Sequence, residues 1–150
     1  MMQTLNELNP NERDWLLISI AHILMADRVY EDSEREFFEK IIEHIFHREA
    51  KVTMPKIEKI LKGMPLQPLS SINVDRPEHI VFIMDVLASA VYANGKLLHS
   101  ESVVFYEAGH CLGLAPGTLT YRLNLEGEKF RVHQKLESFR KQLKGELSSN

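Results

Sequence analysis

The sequence predicts an all-α protein, and three observations predict it. Apolar residues recur three and four positions apart over most of the chain, as along Leu16, Leu17, Ile20, Ile23 and Leu24. Helix start signals stand just before those stripes. No stretch alternates with period two through β-branched residues, the mark of a half-buried strand.

Each element has its own signal. Asn9 suits an N-cap, Pro10 suits the first helical position, and Glu12 stands where a capping box places its carboxylate. The first helix is expected to run to about Ala26. Ser33 with Glu36 repeats the capping-box pattern ahead of Phe37, Phe38, Ile41, Ile42, Ile45 and Phe46, giving a second helix. A short helix over 56–62 ends at Gly63, and residues 63–76, with Pro65 and Pro68, form the long connection. Pro77 restarts the helical spacing through Ile80, Ile83, Met84, Leu87 and Val91 toward Asn94 and Gly95. Ser100 is expected to cap the next helix, which carries Val103, Val104, Tyr106 and Leu112 toward Gly113. Pro116 opens a short helical turn. A C-terminal amphipathic helix over about 126–147 then sets Val132, Leu136, Phe139, Leu143 and Leu147 on one face.

Sliding the chain along itself by 67 residues superimposes Leu16 to Ile42 on Ile83 to Gly109 without a gap. The identities fall on informative positions: Ala21 on Ala88, Ala26 on Ala93, Ser33 on Ser100, Glu34 on Glu101 and Phe38 on Phe105. Two pseudo-symmetric helix-loop-helix repeats, about 10–46 and 77–114, would bury their apolar stripes against each other as one alone cannot.

At 150 residues, the chain makes one domain. With 44% apolar and 26% charged residues it has the balance of a globular fold. Its net charge of −3 argues against nucleic-acid binding, which rests on clustered basic excess. Cys111 is the sole cysteine, so no intrachain disulfide framework exists. The first residues have neither the basic start nor the apolar stretch of a signal peptide, and the expected location is cytoplasmic.

Two stretches carry a family likeness. Ala26 and Asp27 followed by Glu31, Asp32 and Glu34 in the first copy, and Ala93, Asn94 and Gly95 followed by Ser100 and Glu101 in the second, resemble the TerB-like family of helical domains. That family occurs in tellurite-resistance proteins and in the N-terminal part of DjlA-type co-chaperones. The resemblance covers about residues 10–125 and implies an all-helical bundle whose loop acids bind divalent metal in some members. It places such a site on Asp27, Glu34, Asn94 and Glu101, with Ca²⁺ or Mg²⁺ as the cation. The chain departs from the family pattern by Arg28 in place of glycine and Asn94 in place of an acid. Half the carboxylates of that pattern are therefore missing, whereas a hard cation wants six to eight oxygens with several carboxylates among them. No His-Pro-Asp triplet is present, and hence no J domain. As an alternative to metal binding, Asp27 can accept backbone N–H bonds of its turn, while Glu34 and Glu36 lie at a helix's positive end.

Other candidate chemistry is fragmentary. Glu107 and His110 have the Glu-x-x-His spacing of di-iron bundles, in one copy where two are needed; His44 and His47 share a face without the glutamate of a zincin. Asp85 interrupts an apolar run and, with Ser89 and Tyr92, forms a polar line suited to pairing with a cation or hydroxyl on a neighbouring helix or, as the alternative, to facing a ligand. Cys111 lies in an apolar helical setting and reads as core. No nucleophile elbow, Walker loop or dinucleotide turn is present, so no enzyme is expected.

Between Glu126 and Glu146 six bases face four acids, whereas Glu31 to Glu43 holds six acids against two bases. The C-terminal helix is expected to complete the core. Its alternatives are to dock a protein partner, to pair with its twin as a homodimer, or to touch a membrane peripherally. The sequence thus reads as a non-enzymatic, TerB-like interaction or stress-response module with a weak or vestigial divalent-metal site. The second reading is a metal-binding protein or metal-dependent hydrolase working through the acidic loops.

Overall fold

The computed structural model describes residues 8–26, 36, 40, 69–93 and 99–148. Among them four helices are bounded, α1 (Pro10–Leu24), α2 (Pro77–Val91), α3 (His99–Cys111) and α4 (Pro116–Ser148); Glu36 and Lys40 are helical as well, and no described residue is in a strand. Among them no helix is long and apolar enough to cross a membrane.

α1 starts as its sequence dictates. The Glu12 backbone N–H donates to Asn9 Oδ1 at 2.8 Å, and the Asn9 N–H donates to Glu12 Oε1 at 2.9 Å, closing the capping box ahead of Pro10. The helix ends at Leu24, two residues before the expected Ala26, which lies in the following turn. α2 begins with Pro77 at its first turn and has no side-chain cap.

The bounds of α1 and α2 coincide under the 67-residue shift, Pro10 on Pro77 and Leu24 on Val91. Their burial coincides too. Leu16 and Ile83, Ile20 and Leu87, Ile23 and Ala90, and Leu24 and Val91 are all fully enclosed. Glu36 and Lys40 are helical and exposed, as are their counterparts Val103 and Glu107. The loops of the two expected repeats lie outside the described residues.

α1 packs on both α2 and α3, with Trp15, Phe105 and Ala108 in the shared core. The small alanines Ala21 and Ala88 are buried at matched positions and permit close approach of the helices. Residues 69–76 reach α2 without regular structure. Trp15 Nε1 donates to the Ser70 carbonyl at 2.8 Å and the Ile72 N–H to the Cys111 carbonyl at 3.3 Å, which pins this segment to α1 and α3.

Ser100 lies inside α3, one residue after its first described position, and is not the expected cap. α3 closes through a Schellman motif. The Leu114 N–H donates to the Gly109 carbonyl and the Gly113 N–H to that of His110, both at 2.9 Å, with Gly113 at φ 83° where a side chain would be strained.

The C-terminal segment differs most from expectation. A single 33-residue helix of about 50 Å replaces the separate short turn at Pro116 and helix over 126–147. Its first part packs on α2 and α3 through Leu119, Leu123, Glu126 and Gly127. It completes the core only that far.

Candidate functional site

The proposed metal ligands are unevenly visible. Asp27, Glu34 and Asn94 lie outside the described residues, as do His44 and His47. Glu101 is fully buried in the first turn of α3, where its carboxylate meets the positive end of the helix dipole. Among the described residues no group of three His, Cys, Asp or Glu side chains could hold a metal ion. The four residues together would supply oxygen donors alone, which suits Ca²⁺ or Mg²⁺ chemistry but falls short of a full shell. Glu107 and His110 are both exposed on α3.

Three polar connections between described residues join the helices, one of them the 2.6 Å hydrogen bond between the Tyr106 and Thr120 hydroxyls of α3 and α4. The first joins α1 to α2: with the proton on Nδ1, His79 donates to Glu12 Oε1 at 3.1 Å, and both side chains are almost completely buried. Glu12 therefore serves the α1 cap and the interhelical contact with the same oxygen. These residues are counterparts under the 67-residue shift, a signal present in the sequence that a reading confined to acid clusters and histidine spacings missed.

The second connection joins α2 to α4. Arg122 donates through Nε to Asp85 Oδ1 at 3.1 Å and through Nη2 to Glu126 Oε1 at 2.9 Å. Asp85 thus finds its cation on a neighbouring helix, as its place in an apolar run suggested, but it lies exposed at the bundle surface. Tyr92 then marks where α4 leaves the bundle. Its ring packs against Phe130 with centroids 5.9 Å apart and planes tilted by 33°, and a Cβ on Gly127 would come within 2.7 Å of its hydroxyl. Burial pushes the Tyr92 phenol above its ordinary value, Arg131 opposes that shift, and Glu126 adds to it.

Cys111 is half-buried, and burial followed by the Glu107 charge pushes its thiol up. A raised thiol is a poor nucleophile at neutral pH. The cysteine supports packing.

Beyond Phe130 the character of α4 changes. Val132, Leu136, Phe139, Leu143 and Leu147 are 63%, 44%, 57%, 40% and 68% exposed. At 3.6 residues per turn they lie on one face, continued toward the N-terminus by exposed Leu125 and Tyr121. That face is turned about 150° from the one carrying Leu119, Leu123, Gly127 and Phe130. α4 therefore has two apolar faces. One is used within the chain, and the other forms a seam open to solvent along residues 121–147.

Monomeric proteins rarely leave contiguous apolar surface of this kind in water unless it meets a partner. Compared with family models, with curated proteins and with solved structures, the chain matches none.

Proposed function

We propose that the chain is a non-enzymatic interaction module of TerB-like design, a cytoplasmic stress-response accessory protein that acts by presenting the α4 seam. The open seam on the side of α4 opposite its bundle contacts carries this reading. A compact anchor and an extended apolar helix face are the parts that helix-in-groove or helix-on-helix recognition requires. The α1–α2 bundle supplies rigidity, and the Arg122 clamp fixes the angle at which α4 departs.

The two-repeat architecture belongs to the same proposal. Its support is the coincidence of α1 and α2 under the 67-residue shift and the contact between the counterparts Glu12 and His79, as expected beside a pseudo-two-fold axis. A weak or vestigial divalent-cation site between the two loops, from Asp27, Glu34, Asn94 and Glu101, belongs to the same proposal.

Copurification from native cells, comparing the wild-type chain with a Leu136→Glu/Phe139→Glu variant, tests the function. Loss of the associated protein, be it a second tagged copy or another chain, is expected in the variant; unchanged association would overturn the reading. Native mass spectrometry in Ca²⁺ or Mg²⁺ tests the site. Weak occupancy that desalting removes is expected, whereas stoichiometric metal that survives desalting and disappears in Asp27→Ala would establish a working metal centre instead.

A further inference from the structure

We infer that the seam of α4 is covered by a second copy of this chain, laid antiparallel over residues 128–148. The inference rests on the interaction-module reading and names its partner. Beyond Phe130 the helix continues to Ser148, about 27 Å past the last bundle contact.

Charge selects both the occupant and its direction. By helical spacing, Glu128 and Lys129 border the seam at one end and Glu146 borders it at the other. In an antiparallel pair centred between residues 137 and 138, Leu136 lies against Phe139 of the second copy and Val132 against its Leu143. Lys129, whose side chain is 74% exposed, then stands opposite Glu146 of the second copy. The apolar stretch closes on itself, and at each end Glu146 of the second copy meets both Lys129, which attracts it, and Glu128, which repels it. Ser148 then stands level with Gly127 of the second copy, so the bundles lie at opposite ends of the pair.

Parallel pairing instead sets Lys129 on Lys129, Glu146 on Glu146 and Lys135 beside Arg140, repelling along its length. An anionic lipid surface would attract the basic flanks but would press Glu128 and Glu146 against its headgroups. The second copy fits better.

Sedimentation equilibrium on the full chain tests this, with circular dichroism as the control on folding. Wild type is expected to show a monomer–dimer equilibrium, and Leu136→Glu/Phe139→Glu a folded monomer whose loss of helicity is confined to the α4 extension. Lys129→Glu is expected to weaken the dimer about tenfold by turning two symmetry-related attractions into repulsions. The double exchange Lys129→Glu/Glu146→Lys is expected to restore it, because antiparallel packing needs only that the two signs differ. The inference is overturned by a wild-type chain that stays monomeric, by a dimer that survives the seam substitutions, or by a dimer indifferent to Lys129→Glu. A monomer that cosediments with phosphatidylserine vesicles would also overturn it, in favour of a lipid surface. If the wild type is monomeric yet loses a different native partner on seam substitution, self-pairing fails and the interaction-module reading stands.

Discussion

Gly109 and Gly145 both lie inside helices and are expected to respond in opposite ways to a methyl group. A Cβ on Gly109 would run into the side chain of Leu119, which is itself buried and has little room to retreat. Gly109→Ala is therefore expected to cost about 1–3 kcal/mol through overpacking, more than the ~1 kcal/mol that replacing a helical glycine returns. Gly145 faces open space, so Gly145→Ala is expected to gain up to ~1 kcal/mol of local helix stability. Urea unfolding checks the first, and helicity with amide exchange near the C-terminus checks the second. Cys111 gives a pH-dependent counterpart. Its thiol is raised in the native state, so above the ordinary thiol value the unfolded chain has lost a proton that the native chain keeps. Stability from this residue therefore falls as pH rises through that window and is unaffected below it. The stability difference between wild type and Cys111→Ser should shift against wild type from pH 8 to 10; a constant difference would contradict the shift.

At the scale of elements, α1 was the most legible because its signals are local. Asn9, Pro10 and Glu12 determine its start through neighbouring backbone groups, and no distant residue is needed to read them. α2 was legible for a different reason, since its apolar spacing and its register with α1 agree. The continuity of α4 was not legible: Pro116 signals a helix start and the exposed stripe is read from 126 onward, while the face that joins them, Leu119 to Gly127, is set by packing on α2 and α3. The Glu12–His79 contact was half legible: the shift made the two residues counterparts, while their meeting depends on how α1 and α2 pack. Glu12→Ala removes the acceptor for the Asn9 N–H and for His79 in one step. It is expected to lower stability by about 2–4 kcal/mol, measured by chemical denaturation, more than an ordinary cap loss of about 1 kcal/mol. A cost near the ordinary cap value would show that the interhelical contact contributes little.

Over the whole molecule, the distribution of burial separates an anchor from an extension. Residues of α1, α2 and α3 share one core with the first part of α4, whereas the side chains beyond Phe130 lie largely exposed. The apolar seam was visible in the sequence as a periodic stripe, but its direction was not. Helical stripes ordinarily face a core, and this one is turned away because a second apolar face, Leu119 to Phe130, takes the bundle contacts. The loop acids of the TerB-like resemblance would add to this architecture without determining it. An isolated helical extension of this length is marginal in water unless its apolar face is covered, so its protection reports directly on a partner. Amide hydrogen exchange of the full chain at rising protein concentration is the most direct measurement. Protection over residues 132–147 is expected to increase with concentration and to vanish in Leu136→Glu/Phe139→Glu, while residues 83–91 of α2 remain equally protected in both. Protection over 132–147 that is independent of concentration and unchanged by those substitutions would contradict pairing through the seam.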